Sequence, residues 1–155
     1  MFSEIEEKAI ADKCNHLKMV KEGTITFQEL ADLKMQKRVN WLKEHLDEML
    51  EKYQELSPEE QAHTIVFLEY MKINPEHSQI VRVSPKKLMI KSYNFCPYLE
   101  ACRLLDFDTR HVCQIIEPSI QKMIELINPN LRFSRNYLNV RPHKEDFCEE
   151  YLELL

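Results

Sequence analysis

Apolar residues recur at helical three-and-four spacing through the first half of the chain and then switch to alternation, and that change of period divides the molecule. Ser3 and Glu6 form the spacing of a capping box, so a helix is predicted over about 4–21. Gly23, the only glycine, falls where a helix C-cap wants a positive φ. Thr26 and Glu29 repeat the capping pair, and neither Gly nor Pro interrupts the chain before Pro58. One helix of roughly 30 residues is therefore predicted. Along it Met35, Val39, Leu42, Leu46, Met49, Tyr53 and Leu56 alternate in steps of four and three, a coiled-coil stripe. The stripe suits packing on the first helix or on the domain's own core, and it also suits a helix-mediated homodimer.

Ser57, Pro58 and Glu60 supply an N-cap, an N1 proline and an N3 acid for a helix reaching about Lys72, stopped by Asn74 and Pro75. The period then changes. Residues 79–83 and 88–92 are short β-branched runs around a polar turn and read as a hairpin. Cys96 and Pro97 look like the N-cap and N1 of a helix to about Leu105. Asp108 can cap a helix over 109–116, and Pro118 restarts one whose Ile120, Met123, Ile124 and Ile127 form a buried stripe. Residues 131–140 alternate as a strand with Leu131, Phe133 and Tyr137 on one face, and 147–155 reads as a last strand pairing back antiparallel. The fold class is α+β: a helical N-terminal half with a long helix, then a small antiparallel sheet packed against helices. The boundary falls between a helical region, 1–75, and a cysteine-containing α+β domain, 76–155.

Composition sharpens this outline. Hydrophobic residues at 44% and charged residues at 30% are those of an ordinary globular domain. A single glycine argues against Gly-rich phosphate loops and Rossmann turns. A formal net charge of −5 leaves no electrostatic footprint for nucleic acid. No apolar window is long enough for a membrane span, and the acidic N-terminus lacks a secretory core, so no membrane partner and a cytoplasmic setting are expected. Five cysteines in such a chain read as reduced thiols rather than a disulfide framework.

The thiols carry the candidate chemistry. Cys96, Cys102 and Cys113 lie within 18 positions, and Cys148 returns near the end, in the spacing Cys96-x5-Cys102-x10-Cys113-x34-Cys148. This is not the paired C-x-x-C of zinc ribbons. A zinc or iron ion held by these four is one expectation, and burial of Cys102 and Cys113 on apolar helix faces is the other. Positions 96 and 102 face different sides of one helix, so they meet only if Cys96 lies off its end as the cap. A thiol there faces unpaired backbone N–H groups and the positive end of the helix dipole, which favour the thiolate. Cys96 is thus the foremost candidate nucleophile, with Cys148 as an alternative, and His143 or His111 as the base. Arg132 and Arg135 differ by three and point to opposite faces of their strand, so only one lines a given pocket. Arg135, Arg141 and Tyr137 are the candidates for binding a small carboxylate-bearing molecule.

From about residue 80 onward the chain resembles the L-2-amino-thiazoline-4-carboxylic acid hydrolase family, and more distantly the 4-vinyl-reductase-like ligand-binding domains. The features carrying the resemblance are Cys96 before a helix, Leu104 and Leu105 ahead of an Asp-containing connection, Cys113, the run from Asn128 to Phe133 leading into a strand, and Cys148 in a final strand. The chain departs from that family in having no glycine shortly before its last cysteine. The resemblance implies a cysteine-lined pocket for a small molecule or metal. The alternatives are a thiol-dependent hydrolase of a small carboxylate-bearing substrate and a structural or assembly partner whose cysteines are core residues.

Overall fold

A computed structural model describes residues 2–93, 95–140 and 146–155. It is an α+β fold, with a four-stranded antiparallel sheet packed against helices. Helix α1 spans Glu4–Lys21 and opens on the expected capping box of Ser3 and Glu6. It ends in a Schellman motif: the Gly23 N–H donates to the Val20 carbonyl and that of Thr24 to Met19, with Gly23 at φ 79°. Helix α2 spans Phe27–Lys52 and also opens on its expected box. It is shorter than predicted, stopping before Tyr53, so Leu56 lies outside the helix and 36% exposed.

Helix α3, Pro58–His63, begins as expected at Ser57 but then widens into a π-helix over Thr64–Tyr70. The Met71 N–H reaches back five residues to Val66, and the segment ends with Lys72 in the left-handed region at φ 57°. A wider turn advances each residue by a smaller angle, so Ile65, Val66 and Phe67 are all buried in succession.

The sheet holds β1, Ser78–Ser84; β2, Lys87–Ser92; β3, Leu131–Arg135; and β4, Cys148–Leu154, in the order β1-β2-β4-β3. Helix α4, Pro97–Leu105, starts after Cys96 as predicted. The two helices expected around Pro118 are one, α5, Thr109–Ile127. Pro118 is exposed, and its missing N–H frees the Gln114 carbonyl on a solvent-facing turn where water can satisfy it. The strand expected over 131–140 ends at Arg135 and gives way to a short 3-10 turn, Tyr137–Asn139, capped by the Asn136 side chain. Tyr137 is therefore not on the strand face with Leu131 and Phe133. Among the described residues no helix is long and apolar enough to cross a membrane.

Two packed clusters hold these elements. The larger joins Leu42 and Met49 of α2, Ile65 to Phe67, Ile120, Met123 and Ile124 of α5, and Ile90, Phe133 and Leu152 of the sheet. Each fully enclosed aliphatic there contributes about 1.5–3 kcal/mol. The smaller joins Ile10, Cys14 and Leu17 of α1, Leu30 of α2, Tyr98, Ala101 and Cys102 of α4, and Val112 and Ile116 of α5. The α2 stripe thus packs on α5, while α1 packs on α4. Helix α5 runs through both clusters.

Candidate functional site

Between the two clusters lies a cavity of about 140 Å³. Phe67, Met71 and Ile73 wall it from the π-helix and the segment after it, and Ile116 and Ile120 from α5. Along α5 the lining positions are Cys113, Ile116, Glu117 and Ile120, the one-face spacing of a helix. On β4, alternation places Cys148 and Glu150 on the same helix-facing side as Leu152. Cys96 reaches the cavity because it lies off the end of α4 as its N-cap, although its side chain makes no capping hydrogen bond.

The sheet side of the cavity is polar and closely paired. Arg135 Nη2 donates to Glu150 Oε2 at 2.8 Å, and Ser92 Oγ donates to Glu150 Oε1 at 2.6 Å. Burial works against the Arg135 charge, but the Glu150 carboxylate, which also accepts its hydrogen bond, outweighs this and raises the guanidinium pKa. Across the cavity, Arg38 of α2 donates from Nη1 to Ser119 Oγ at 3.0 Å. The Nε atoms of Arg38 and Arg135 are both buried without a hydrogen-bond partner. Two guanidinium groups with donors in reserve, in an otherwise apolar space, suit a ligand with an apolar body and an acidic group.

The thiols differ in character. Burial pushes the Cys113 thiol up to about 12, against the pull of Arg135, so it stays protonated at neutral pH. Cys102 does not reach the cavity. It sits on the α4 face packed against α1, beside Cys14, where burial pushes its pKa up to about 11 although a hydrogen bond with Thr109 opposes this. The four cysteines expected as one metal set are therefore split, three at the cavity and Cys102 in the core: Cys96 does lie off the helix end as the cap, but Cys102 is on the α4 face that α1 covers. None of the five cysteines is in a disulfide. Among the described residues no group of three or more His, Cys, Asp or Glu side chains is placed to hold a metal ion.

Of the residues expected to bind a ligand, Arg135 lines the cavity and Tyr137 does not. The Tyr137 hydroxyl is buried elsewhere without a partner. Arg141 and His143 lie outside the described residues. His111 is exposed on α5, with its ring edge-on to Phe27 at 5.1 Å, away from the cavity. Residues that sequence reasoning passed over are Arg38, Ser92, Glu117 and Glu150. Two of them had a signal. Glu150 alternates in step with Leu152 and Leu154, an acid on an apolar face, and Arg38 stands four before Leu42 on a 3.6-residue stripe that the 3.5-residue reading displaced onto Val39.

No protein-family model and no curated protein matches the chain. A solved structure does match. The fold is similar to that of a trafficking protein particle complex subunit 3 from Naegleria fowleri, covalently bound to palmitic acid, with a TM-score of 0.54 and 12% sequence identity. The match covers 97% of this chain and 95% of that one.

Proposed function

We propose that the chain is a small-molecule-binding domain whose ligand, a compact apolar body with one acidic group, occupies the cysteine-lined cavity. The observation that carries this reading is the convergence of Cys96, Cys113, Cys148, Arg38 and Arg135 on one apolar-walled space. Size argues for a compact ligand, since an apolar cavity of about 150 Å³ is benzene-sized. Burial keeps the Cys113 thiol protonated, so on this reading it serves as a neutral wall of the cavity and not as a nucleophile. Small-molecule binding is favoured over a zinc or iron site because Cys102 packs in the other cluster. The resemblance to thiazoline-carboxylate hydrolases and 4-vinyl-reductase-like domains agrees with a small, carboxylate-bearing ligand.

The test is native mass spectrometry with aromatic and short aliphatic carboxylates, set beside fatty acids of increasing length. Compact acids should be retained by the wild-type chain and by Cys113→Ser, and lost from Cys113→Phe, whose ring fills the cavity. Retention by folded Cys113→Phe would overturn the reading.

A second reading has one observation in its favour, the fold shared with a trafficking complex subunit that carries palmitic acid. On that reading the chain is an assembly subunit and the cavity takes a fatty acyl chain, with Cys96 as the point of attachment. The Cys96 thiol would attack the carbonyl of an acyl thioester, forming the new C–S bond as the old one breaks, and its proton would pass to the departing thiol. Covalent gain of a long acyl chain, abolished by Cys96→Ser, would favour this second reading.

A further inference from the structure

Outside the cavity, and sharing Arg38, Cys96 and Tyr98 with it, lies a larger cleft of about 560 Å³. Its charge is the reverse of the chain's. The protein carries a net charge of −5, yet Lys13, Lys34, Lys37, Arg38 and Lys72 all line this cleft with His77, and no carboxylate does so among the described residues. The cations come from three places in the chain: Lys13 from α1, the next three from α2, and Lys72 from the left-handed residue that ends the π-helix. Asp12, which does not line the cleft, bonds Lys13 at 3.0 Å.

These charges are held together. The Nζ atoms of Lys13 and Lys34 each lie 5.3 Å from the centre of the Tyr98 ring, and the Arg38 Nε is buried without a partner. Lys34 is half-buried, and burial together with Lys13 and Arg38 pushes its pKa down to about 7. Like charges gathered in a concave, partly desolvated space repel one another unless an anion is shared among them. The start of α4 opens onto the same cleft at Pro97 and Tyr98, and Cys96 makes no side-chain cap there, so the first N–H groups of that helix add to the positive field.

We infer that this cleft is a binding site for a phosphoryl-type dianion or polyanion, held by Lys13, Lys34 and Lys37, with Arg38 at the boundary it shares with the inner cavity. Asp12 already pairs with Lys13, and a single further carboxylate would leave most of the remaining positive charge of Lys34, Lys37, Arg38 and Lys72 unneutralised. Tetrahedral phosphoryl oxygens on a multiply charged group can take hydrogen bonds from several ammonium groups at once. The site stands whether or not the inner cavity holds the ligand proposed above.

The experiment is calorimetric titration of the full chain with inorganic pyrophosphate, with acetate as comparator at fixed ionic strength. Pyrophosphate should bind saturably and more tightly than acetate. Lys34→Gln and Lys37→Gln should each weaken it about tenfold, the loss of one charge-assisted hydrogen bond. Lys43→Gln, exposed elsewhere on α2, should leave it unchanged, and circular dichroism melts should confirm that all three variants are folded. A parallel arm uses phosphatidylcholine vesicles with and without phosphatidic acid. Vesicle flotation that depends on phosphatidic acid and on Lys34 assigns the anion to a lipid headgroup, and pyrophosphate binding without flotation assigns it to a soluble phosphate. Absence of saturable binding in both arms, or binding that Lys34→Gln and Lys37→Gln leave intact, would overturn the inference.

Discussion

Strands β3 and β4 carry the same ion pair twice, on opposite faces. Arg132 lies opposite Glu153 and Arg135 opposite Glu150 in one antiparallel register. The first pair is 3.5 Å apart with side chains 59% and 31% exposed, and the second is 2.8 Å apart with side chains 11% and 3% exposed. Chemistry, strands and register are shared, so solvent is the variable. On the open face, water screens the charges and the pair adds about 0–1 kcal/mol. On the helix face both charges have left water, and Ser92 is recruited to complete the coordination of Glu150. The inner pair is therefore a structural commitment that positions Arg135 at the cavity, whereas the outer pair is a dispensable surface contact.

The comparison breaks if the inner pair proves cheap to disrupt. Glu150→Ala should destabilise the fold by about 3–5 kcal/mol in denaturant titration, because it strands a buried guanidinium. An apolar replacement of both partners, Arg135→Met with Glu150→Leu, should recover most of that loss, since neither charge then needs solvation. If the double variant were as unstable as Glu150→Ala, the cost would lie in packing and not in charge.

A neutral buried group sharpens the same contrast. His63 is 4% exposed, its Nε2 lies 2.8 Å from Ser78 Oγ, and burial pushes its pKa down to about 4 against the pull of Glu150 and Glu60. Between pH 4 and its ordinary 6.5 the unfolded chain binds the proton that the folded chain refuses, so stability should rise with pH across that window and level off above it. The rise is about 3 kcal/mol. His63→Gln should flatten it in denaturation curves recorded at pH 4.5 and 7.

Lys34 has the same sign in a higher window. Its pKa near 7 lies below the ordinary lysine value, so its contribution should become more favourable as pH rises from about 7 towards 10. Lys34→Met should gain more stability at pH 6.5 than at pH 9.5, by a smaller margin than His63 because the side chain is only half-buried. The smallest effect belongs to the outer ion pair. Arg132→Ala should shift stability by less than about 1 kcal/mol and leave ligand retention in the cavity unchanged.

Local signals carried much of this architecture. Capping pairs at Ser3, Thr26 and Ser57, the glycine at position 23, the hairpin turn and the proline after Cys96 all specify backbone geometry through neighbours a few residues away, and each lies where the pattern placed it. The failures share a cause. Pro118 reads as a break, but α5 continues through it because both of its ends are anchored in packed clusters. The widened turn over Thr64–Tyr70 and the early end of β3 also have no local marker, since each is set by what the segment packs against.

The candidate site shows the same division. Its thiols could be chosen from residue type and spacing alone, and the opposed directions of Arg132 and Arg135 follow from the two-residue period of a strand. Which thiols share a cavity could not be read in that way. Cys96, Cys113 and Cys148 meet because α4, α5 and β4 are brought together by contacts distant in sequence, and Cys102 is excluded by the side of α4 that α1 covers. The lysine cleft is the clearest case. Lys13, Lys34, Lys37 and Lys72 are scattered through an acidic chain, and only the packing of α1, α2 and the π-helix around the start of α4 places them together. Local chemistry thus determined the elements and the residues able to act, while long-range burial decided which of those residues face one another.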